Sequence, residues 1–585
     1  MRTAIPRTDP KLLAVARGDE PADLLIDNVR VVNVFTRRIQ PGPVAIVGGR
    51  IAAIGFVGES RETIDAGNAF AVPGLIDAHM HVESTMLMPS EFARLAVARG
   101  TTAAVLDPHE IANVLGLDGV RMLMDDAEGS PIQPIWMASS CVPASHMETS
   151  GATLGIDETR ELLDDPRVLG LAEMMNFPGV VHAMPEVLAK VALGLEHGLV
   201  DGHAPGLGGR HLQAYVAAGI MTDHECTTAD EAREKLALGM QIAIREGSAA
   251  RNLAALIPAI TPETVHRFCF CTDDRHPGDL MDHGHIDHVV RRAIALGLDP
   301  LDAIMIATIN TANHYRQPDL GAIAPGRIAD LLLVDDLQTF VPRMVLSAGR
   351  VVARDGEFIA PPPPRPPHAP AAVKDAGCVV LPCSFDAESL RIPADPASTR
   401  VRVIGMDPHQ LITESLVVEP KVHDGRIVAD PERDICKLAV IERHGCGGGI
   451  GLGLIRGFQL ARGALASTIG HDSHNLAVVG ADDEDMALAA RAVAEVGGGQ
   501  AVAVDGKVLA VLPLPIAGLI SPEPAVVVVA QQRALLAAAR SLGCPIDDPF
   551  MPLSFMPLVV IPHLKLSDKG LVDVDRFELV SLQVP

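Results

Sequence analysis

Five short apolar runs in the first half of this sequence each end in a histidine or an acid. They close on His79 and His81 (Asp77-Ala78-His79-Met80-His81), on Glu173 (Leu171-Ala172-Glu173), on His203 (Asp201-Gly202-His203), on His224 (Thr222-Asp223-His224) and on Asp273 (Thr272-Asp273). In an extended segment alternate side chains share a face, so His79 and His81 can reach one ion. A single histidine on an apolar strand is more often a hydrogen-bonded core residue than a ligand. Five strand ends with the same ligating chemistry are poorly explained that way. Imidazoles with carboxylates suit a divalent cation, although manganese, iron and zinc are not told apart by such a set. A cation so held could activate water. Coordination can bring the pKa of water from near 15.7 to about 7, worth roughly 12 kcal/mol in favour of hydroxide.

The elements that must position these groups read as an α/β middle between two β-rich flanks. Between about residues 70 and 315, eight strand-like runs alternate with helix-like ones: 72–78, 102–106, 134–139, 168–173, 199–203, 219–224, 240–245 and 268–273. Eight βα units in roughly 245 residues have the size of a closed (β/α)8 TIM barrel, whose working groups sit at the C-terminal strand ends. Residues 1–70 hold β-like runs at 24–32, 44–47 and 50–56, and 321–360 repeat that pattern. The expectation is one small β-sandwich built from both sides of a barrel at 71–320. Residues 361–374 are proline-dense and read as a stiff linker. Residues 375–585 read as a C-terminal α+β domain, with β-runs at 401–404, 437–441, 508–512 and 525–529 and helices at 482–496 and 531–542.

Composition narrows the partners. Of the 585 residues, 48 are Lys or Arg and 73 are Asp or Glu, a formal charge of −25 that repels phosphate backbones, so no nucleic-acid partner is expected. No run of about 18 uncharged apolar residues and no leader-like segment is present, so no membrane partner is expected. Nine scattered cysteines suit reduced thiols and a cytoplasmic location. The apolar content, 48%, makes a homo-oligomer such as a dimer plausible.

Pro73-Gly74-Leu75-Ile76-Asp77-Ala78-His79-Met80-His81 resembles the first-strand signature of the amidohydrolase superfamily. More narrowly, the chain resembles the bacterial adenine deaminase family. The matching segments are His81-Val82-Glu83-Ser84-Thr85-Met86, Asp107-Pro108-His109-Glu110-Ile111-Ala112-Asn113-Val114, Ala172-Glu173-Met174-Met175-Asn176, Asp201-Gly202-His203-Ala204-Pro205, Thr222-Asp223-His224-Glu225-Cys226 and Cys271-Thr272-Asp273-Asp274. Further on, Gly470-His471-Asp472-Ser473-His474-Asn475 and Asp568-Lys569-Gly570-Leu571-Val572-Asp573 match too. The resemblance implies a binuclear site of two divalent ions (Mn2+ or Fe2+, with Zn2+ possible) held by His79, His81, Glu173, His203, His224 and Asp273. It also implies adenine as substrate, with hypoxanthine and ammonia as products. Many relatives in the superfamily carry a carbamylated lysine where Glu173 stands. The resemblance implies that Glu173 bridges both ions; binding of one ion alone is the alternative. Asp273 is expected to act as general base, and Glu110, with His109 beside it, as the acid. That role requires burial to raise the Glu110 pKa. Arg245 and Ser248 are expected to touch substrate.

Two other readings stay open. A hydrolase of cyclic amides would be expected to carry the lysine, and a non-catalytic barrel scaffold would be expected to have lost ligands. His109-Glu110-Ile111-Ala112-Asn113 fails the zinc-protease pattern at its last position. The glycine run 445–453 lacks a phosphate-loop lysine and reads as a turn against neighbouring backbone. Cys269 and Cys271 are expected to pack the barrel interior and Trp136 to lie in the core. His471, Asp472 and His474 stay without a role, as groups of a domain contact or a substrate pocket.

Overall fold

A computed structural model describes residues 4–56, 58–361, 379–382, 384–408 and 411–584. The proline-dense linker expected at 361–374 lies outside these, apart from Pro361.

The metal-facing half is built on eight parallel strands: β1 (Leu75–Met80), β2 (Thr101–Leu106), β3 (Gln133–Ala138), β4 (Val168–Met174), β5 (Val200–Gly202), β6 (Thr222–Asp223), β7 (Gln241–Arg245) and β8 (Phe268–Cys271). β1 to β5 pair in sequence order, as do β6 to β8. A parallel bridge between Met80 and Asp273 brings the last strand back to the first, and Gly202 N–H donates to Thr222 Oγ1 (2.7 Å) across the other gap. This is a TIM-barrel-like domain. Its interior is filled by apolar residues, among them Ile76, Ala78, Val105, Met137, Cys269 and Cys271. Trp136 is buried in the layer between strands and helices.

The first barrel strand starts later than the apolar run suggests. Val72 belongs to a long strand, Ser60–Pro73, of a separate sheet. Gly74 makes the change of sheet, where an added Cβ would sit 2.1 Å from Thr102 Oγ1. That separate sheet has nine strands and takes them from both sides of the barrel: residues 22–73 supply one part and 331–358 the other, joined where Leu331–Val334 runs antiparallel to 70–73.

Residues 400–513 form a second nine-stranded sheet, whose remaining strand is Gln583–Val584. Helix Asp483–Glu495 covers one face with Met486, Ala489, Ala490 and Val493. Helix Ala525–Ser541 packs against the other through Val528, Leu535 and Ala539. The β-run expected at 525–529 is therefore helical. Its valines suggested a strand, but Pro524 starts a helix whose buried residues recur every three or four positions, and that pattern outweighs the β-branched preference. The glycine run enters strand Ile450–Arg456, where Gly451 has room for no side chain: its Cβ would lie 1.8 Å from Ser567 O.

This C-terminal unit sits against the barrel mouth through several specific bonds. Ser521 N–H donates to Met86 O (2.9 Å), Ala525 N–H to Glu91 Oε1 (3.0 Å) and Thr149 N–H to Asp568 Oδ1 (2.9 Å). Asn475 Nδ2 donates to Thr149 O (2.8 Å). Among the described residues, no helix is long and apolar enough to cross a membrane.

Candidate metal centre and the seam beside it

Each of the six expected ligands leaves a barrel strand at or just past its C-terminal end, and all six side chains meet. Glu173, near the end of β4, lies at the middle. Its Oε1 faces His81 Nε2 (3.3 Å) and His79 Nε2 (3.6 Å); its Oε2 faces His203 Nδ1 (2.5 Å) and His224 Nε2 (3.2 Å). Asp273, beyond β8, places Oδ1 3.0 Å from His81 Nε2 and 3.7 Å from His79 Nε2. Its backbone is left-handed (φ +57°), a conformation that non-glycine residues adopt at a cost, often at functional sites. His79, His81, Glu173, His224 and Asp273 are buried, and His203 nearly so.

The donor set fits divalent cations. One ligand atom from each of His79, His224 and Asp273 lies within 4.8 Å of the other two, and the same holds for Glu173, His203 and His224. His79 Nε2 is buried, faces two carboxylates and has no hydrogen-bond partner among the described residues. An unpaired buried polar atom costs about 1–3 kcal/mol, which coordination would relieve. His81 is oriented for the task by the contact of its Nδ1 with Asp107 O (3.0 Å), which leaves Nε2 to the centre. The backbone around His79 is pinned by Asp77, whose Oδ1 accepts from His79 N (3.2 Å) and whose Oδ2 accepts from Thr272 Oγ1 (2.6 Å).

Arg245 and Ser248 each have partners within the protein. Arg245 ion-pairs with Asp273 Oδ2 (2.6 Å) and with Glu225, so its charge is committed to holding the end of β8. Burial alone would raise the Asp273 pKa, but Arg245, then His81 and His224, hold it well below the usual range. Ser248 Oγ donates to Asp279 Oδ2 (2.5 Å) and accepts from His276 N (2.9 Å), which fixes a rim loop.

His109 and Glu110 begin helix His109–Asp126 and are buried beside the centre. His109 Nδ1 lies 3.0 Å from Asp107 Oδ2 and 3.5 Å from Glu173 Oε1, and its Nε2 lies 3.3 Å from Glu110 Oε1. The expectation of a protonated Glu110 needs correcting. The C-terminal unit sends the turn 470–475 into the barrel mouth, placing His471 Nδ1 2.7 Å from Glu110 Oε1 and His474 Nε2 on Glu110 Oε2. Burial would raise the carboxyl, but His471, His109 and His474 together hold it well below the usual glutamate range. The proton belongs to the imidazoles. Although burial disfavours its charge, His471 is lifted to about 9 by Glu110. His474 is pushed down to about 4, chiefly by burial.

Glu83 stands in the matching segment His81 to Met86, where the sequence assigned it no role. It is buried, its Oε1 accepts from Ile111 N (3.0 Å) and its Oε2 has no hydrogen-bond partner among the described residues. Burial pushes it up to about 7. Its place two residues after His81, inside a segment that matches the family, was the signal available. For His471 and His474 the histidine spacing was visible, but their partner lies 364 residues away in the case of His474.

The comparisons with known proteins agree with this geometry. Residues 70–352 match the amidohydrolase family, and residues 410–578 match the adenine deaminase C-terminal domain. The chain is 48% identical to an adenine deaminase of Desulfatibacillum aliphaticivorans, over 98% of this chain and 99% of that one. It is also 48% identical to an adenine deaminase of Methanothrix thermoacetophila, with 98% and 99% covered, and 47% identical to one of Cereibacter sphaeroides, with 97% and 99% covered. The barrel and its strand-end histidines thus define a hydrolase of the amidohydrolase class. The chain belongs to the adenine deaminase family.

Proposed function

We propose that the protein converts adenine and water to hypoxanthine and ammonia at the barrel mouth, with His79, His81, Glu173, His203, His224 and Asp273 holding two divalent ions. The observation that carries this reading is the division of Glu173, one oxygen toward His79 and His81, the other toward His203 and His224. A carboxylate placed so can bridge two ions without a carbamylated lysine. When bound, the ions supply a strong nucleophile from water at neutral pH.

The chain's own groups do the rest. Asp273 Oδ1 stands beside His81 while Oδ2 is pinned by Arg245, an arrangement that orients a base able to take a proton from the attacking oxygen and pass it to the departing amine. Glu110 and His109 belong to the acid machinery as an anion surrounded by imidazoles, which keeps a proton in reserve within the site. Burial of these groups excludes bulk water and strengthens their mutual electrostatics. Along the chain the same reading assigns 71–320 to the catalytic barrel, 1–70 and 321–360 to a small β-sandwich, 361–374 to a linker and 375–585 to the C-terminal domain.

The test is the change in absorbance as adenine becomes hypoxanthine, measured with chelated protein and with protein reloaded with manganese or iron. Activity is expected only after reloading, and Asp273→Asn is expected to lose at least about 10³-fold in kcat with its fold intact. Full turnover by Asp273→Asn would take that residue out of the mechanism. A reloaded wild type inert toward adenine would end the reading itself.

A further inference from the structure

His471 is held in the manner of a working acid. Its Nδ1 lies 2.7 Å from the Glu110 carboxylate, its ring stacks flat on Phe555 (centroids 4.6 Å apart, planes at 9°), and its backbone N–H donates to Ser554 O (2.8 Å). The residue is 6% exposed. No hydrogen bond to a described residue occupies its Nε2, and the ring lines a small cavity between the two halves of the molecule. Ser84, Asp274 and His276 line that cavity from the barrel rim, and Gln500 and Phe550 from the C-terminal unit. Asp274 directly follows the ligand Asp273. Through Glu110 and His109, His471 is also connected to Glu173.

We propose that His471, brought to the barrel mouth by the C-terminal unit, is a catalytic residue whose Nε2 delivers a proton to a ring nitrogen of the base while Glu110 holds its Nδ1. The proposal rests on the deamination reading above. As the C6–O bond forms and the ring loses its aromatic bonding, Nε2–H gives its proton to the neighbouring ring nitrogen and the imidazole becomes neutral. The product keeps that proton on nitrogen. The water whose oxygen stays on C6 gives up two protons: one recharges His471, the other leaves with the amino group as ammonia. No other reactant is needed.

The charged groups that face His471 support this use. Glu110, Asp274 and Asp472 favour its imidazolium, and the ring of His474, 5.7 Å away, is itself held neutral by burial. An acid of pKa about 9 is charged throughout the neutral range. A carboxylate on one ring nitrogen with the other nitrogen free is the arrangement by which imidazoles are oriented for proton transfer. His276 lines the same cavity, but its Nδ1 is paired with Asp548 (3.0 Å), not with Glu110.

The test compares metal-loaded wild type with His471→Gln and His276→Gln on adenine, reading kcat, KM and metal content from pH 6 to 10. His471→Gln is expected to keep its ions, change KM less than about 3-fold and lose on the order of 10²-fold or more in kcat. The basic limb of wild-type kcat, falling near pH 9, is expected to vanish in that variant. Should His471→Gln melt early, His471→Gly with added imidazole is the measure: rescue supports the proposal and absence of rescue overturns it. Retention of kcat within about 3-fold overturns it too, as does a basic limb that persists in His471→Gln or disappears instead in His276→Gln. A wild type that turns over adenine while His471→Gln matches it removes this proposal alone; an inert wild type removes the deamination reading.

Discussion

Glu173 and Glu110 are both buried carboxylates ringed by histidines, yet their surroundings ask for different things. Around Glu173 the imidazoles come from four strand-end positions, a second acid stands opposite, and one ring nitrogen, His79 Nε2, is left unpaired among oxygens. Lone pairs converge there, and a cation answers them. Around Glu110 the neighbours are imidazoles: His474 Nε2 is hydrogen-bonded to Oε2, while His471 Nδ1 lies 2.7 Å from Oε1 as an ion pair. His474 Nδ1 accepts from Gly470 N (3.2 Å), so its Nε2 carries the proton that meets Glu110. His471 is charged beside the same carboxylate. One region is arranged to hold metal, the other to hold protons. Residue type alone does not distinguish them; the direction of the second ring nitrogen does.

The strongest way to break that comparison is to remove each carboxylate's charge in turn. Glu173→Gln is expected to abolish turnover, by on the order of 10³-fold or more, and to lower bound metal below the two ions per chain expected of wild type. Metal analysis with a parallel assay checks this. A variant with two tightly held ions and good activity would mean that Glu173 does not bridge.

Glu110→Gln should act differently. It is expected to lower kcat by about 10²-fold, because His471 loses the anion that holds it charged and oriented, while metal content stays at two. His109, Glu110 and Asp472 lie close enough to share an ion, so the number of ions is itself informative. A third ion in wild type, lost in Glu110→Gln, would make the two regions alike and dissolve the distinction.

The barrel strands were legible because each is a short apolar run closed by a turn, and parallel strands covered on both faces have little other composition available to them. The ligands were legible because a barrel presents its strand ends together; position along each run already placed His79, Glu173, His203, His224 and Asp273 at one rim. Where the sequence misled, a second pattern was competing. Val72 continues an apolar run across Gly74 but belongs to another sheet. Val526 to Val529 favour a strand by type, while burial of Val528, Leu535 and Ala539 makes them the start of a helix. The state of Glu110 was out of reach for a different reason. Burial and neighbouring charge act on a carboxyl in opposite directions, and the charges that decide its case arrive from a turn hundreds of residues away.

The mildest expected effect concerns stability rather than turnover. His471 has its folded pKa raised, so the stability it contributes is fully present below about 6.5 and is lost as pH rises toward about 9. That interval corresponds to at most roughly 3 kcal/mol. Glu110 has its folded pKa lowered, so its contribution is present above the unfolded value, near 4.3, and is lost only as pH falls through the folded one. As pH rises above 6.5, then, the seam should weaken as His471 loses its proton, and His276, raised beside Asp548 although burial opposes its charge, adds to that loss. Thermal melts of the metal-loaded protein are expected to fall by a few degrees across that range in wild type, with the slope flattened in His471→Gln. Equal slopes in the two proteins would show that the His471–Glu110 contact does not couple docking of the C-terminal unit to pH. The proton-holding character of this region would then have to rest on His109 instead.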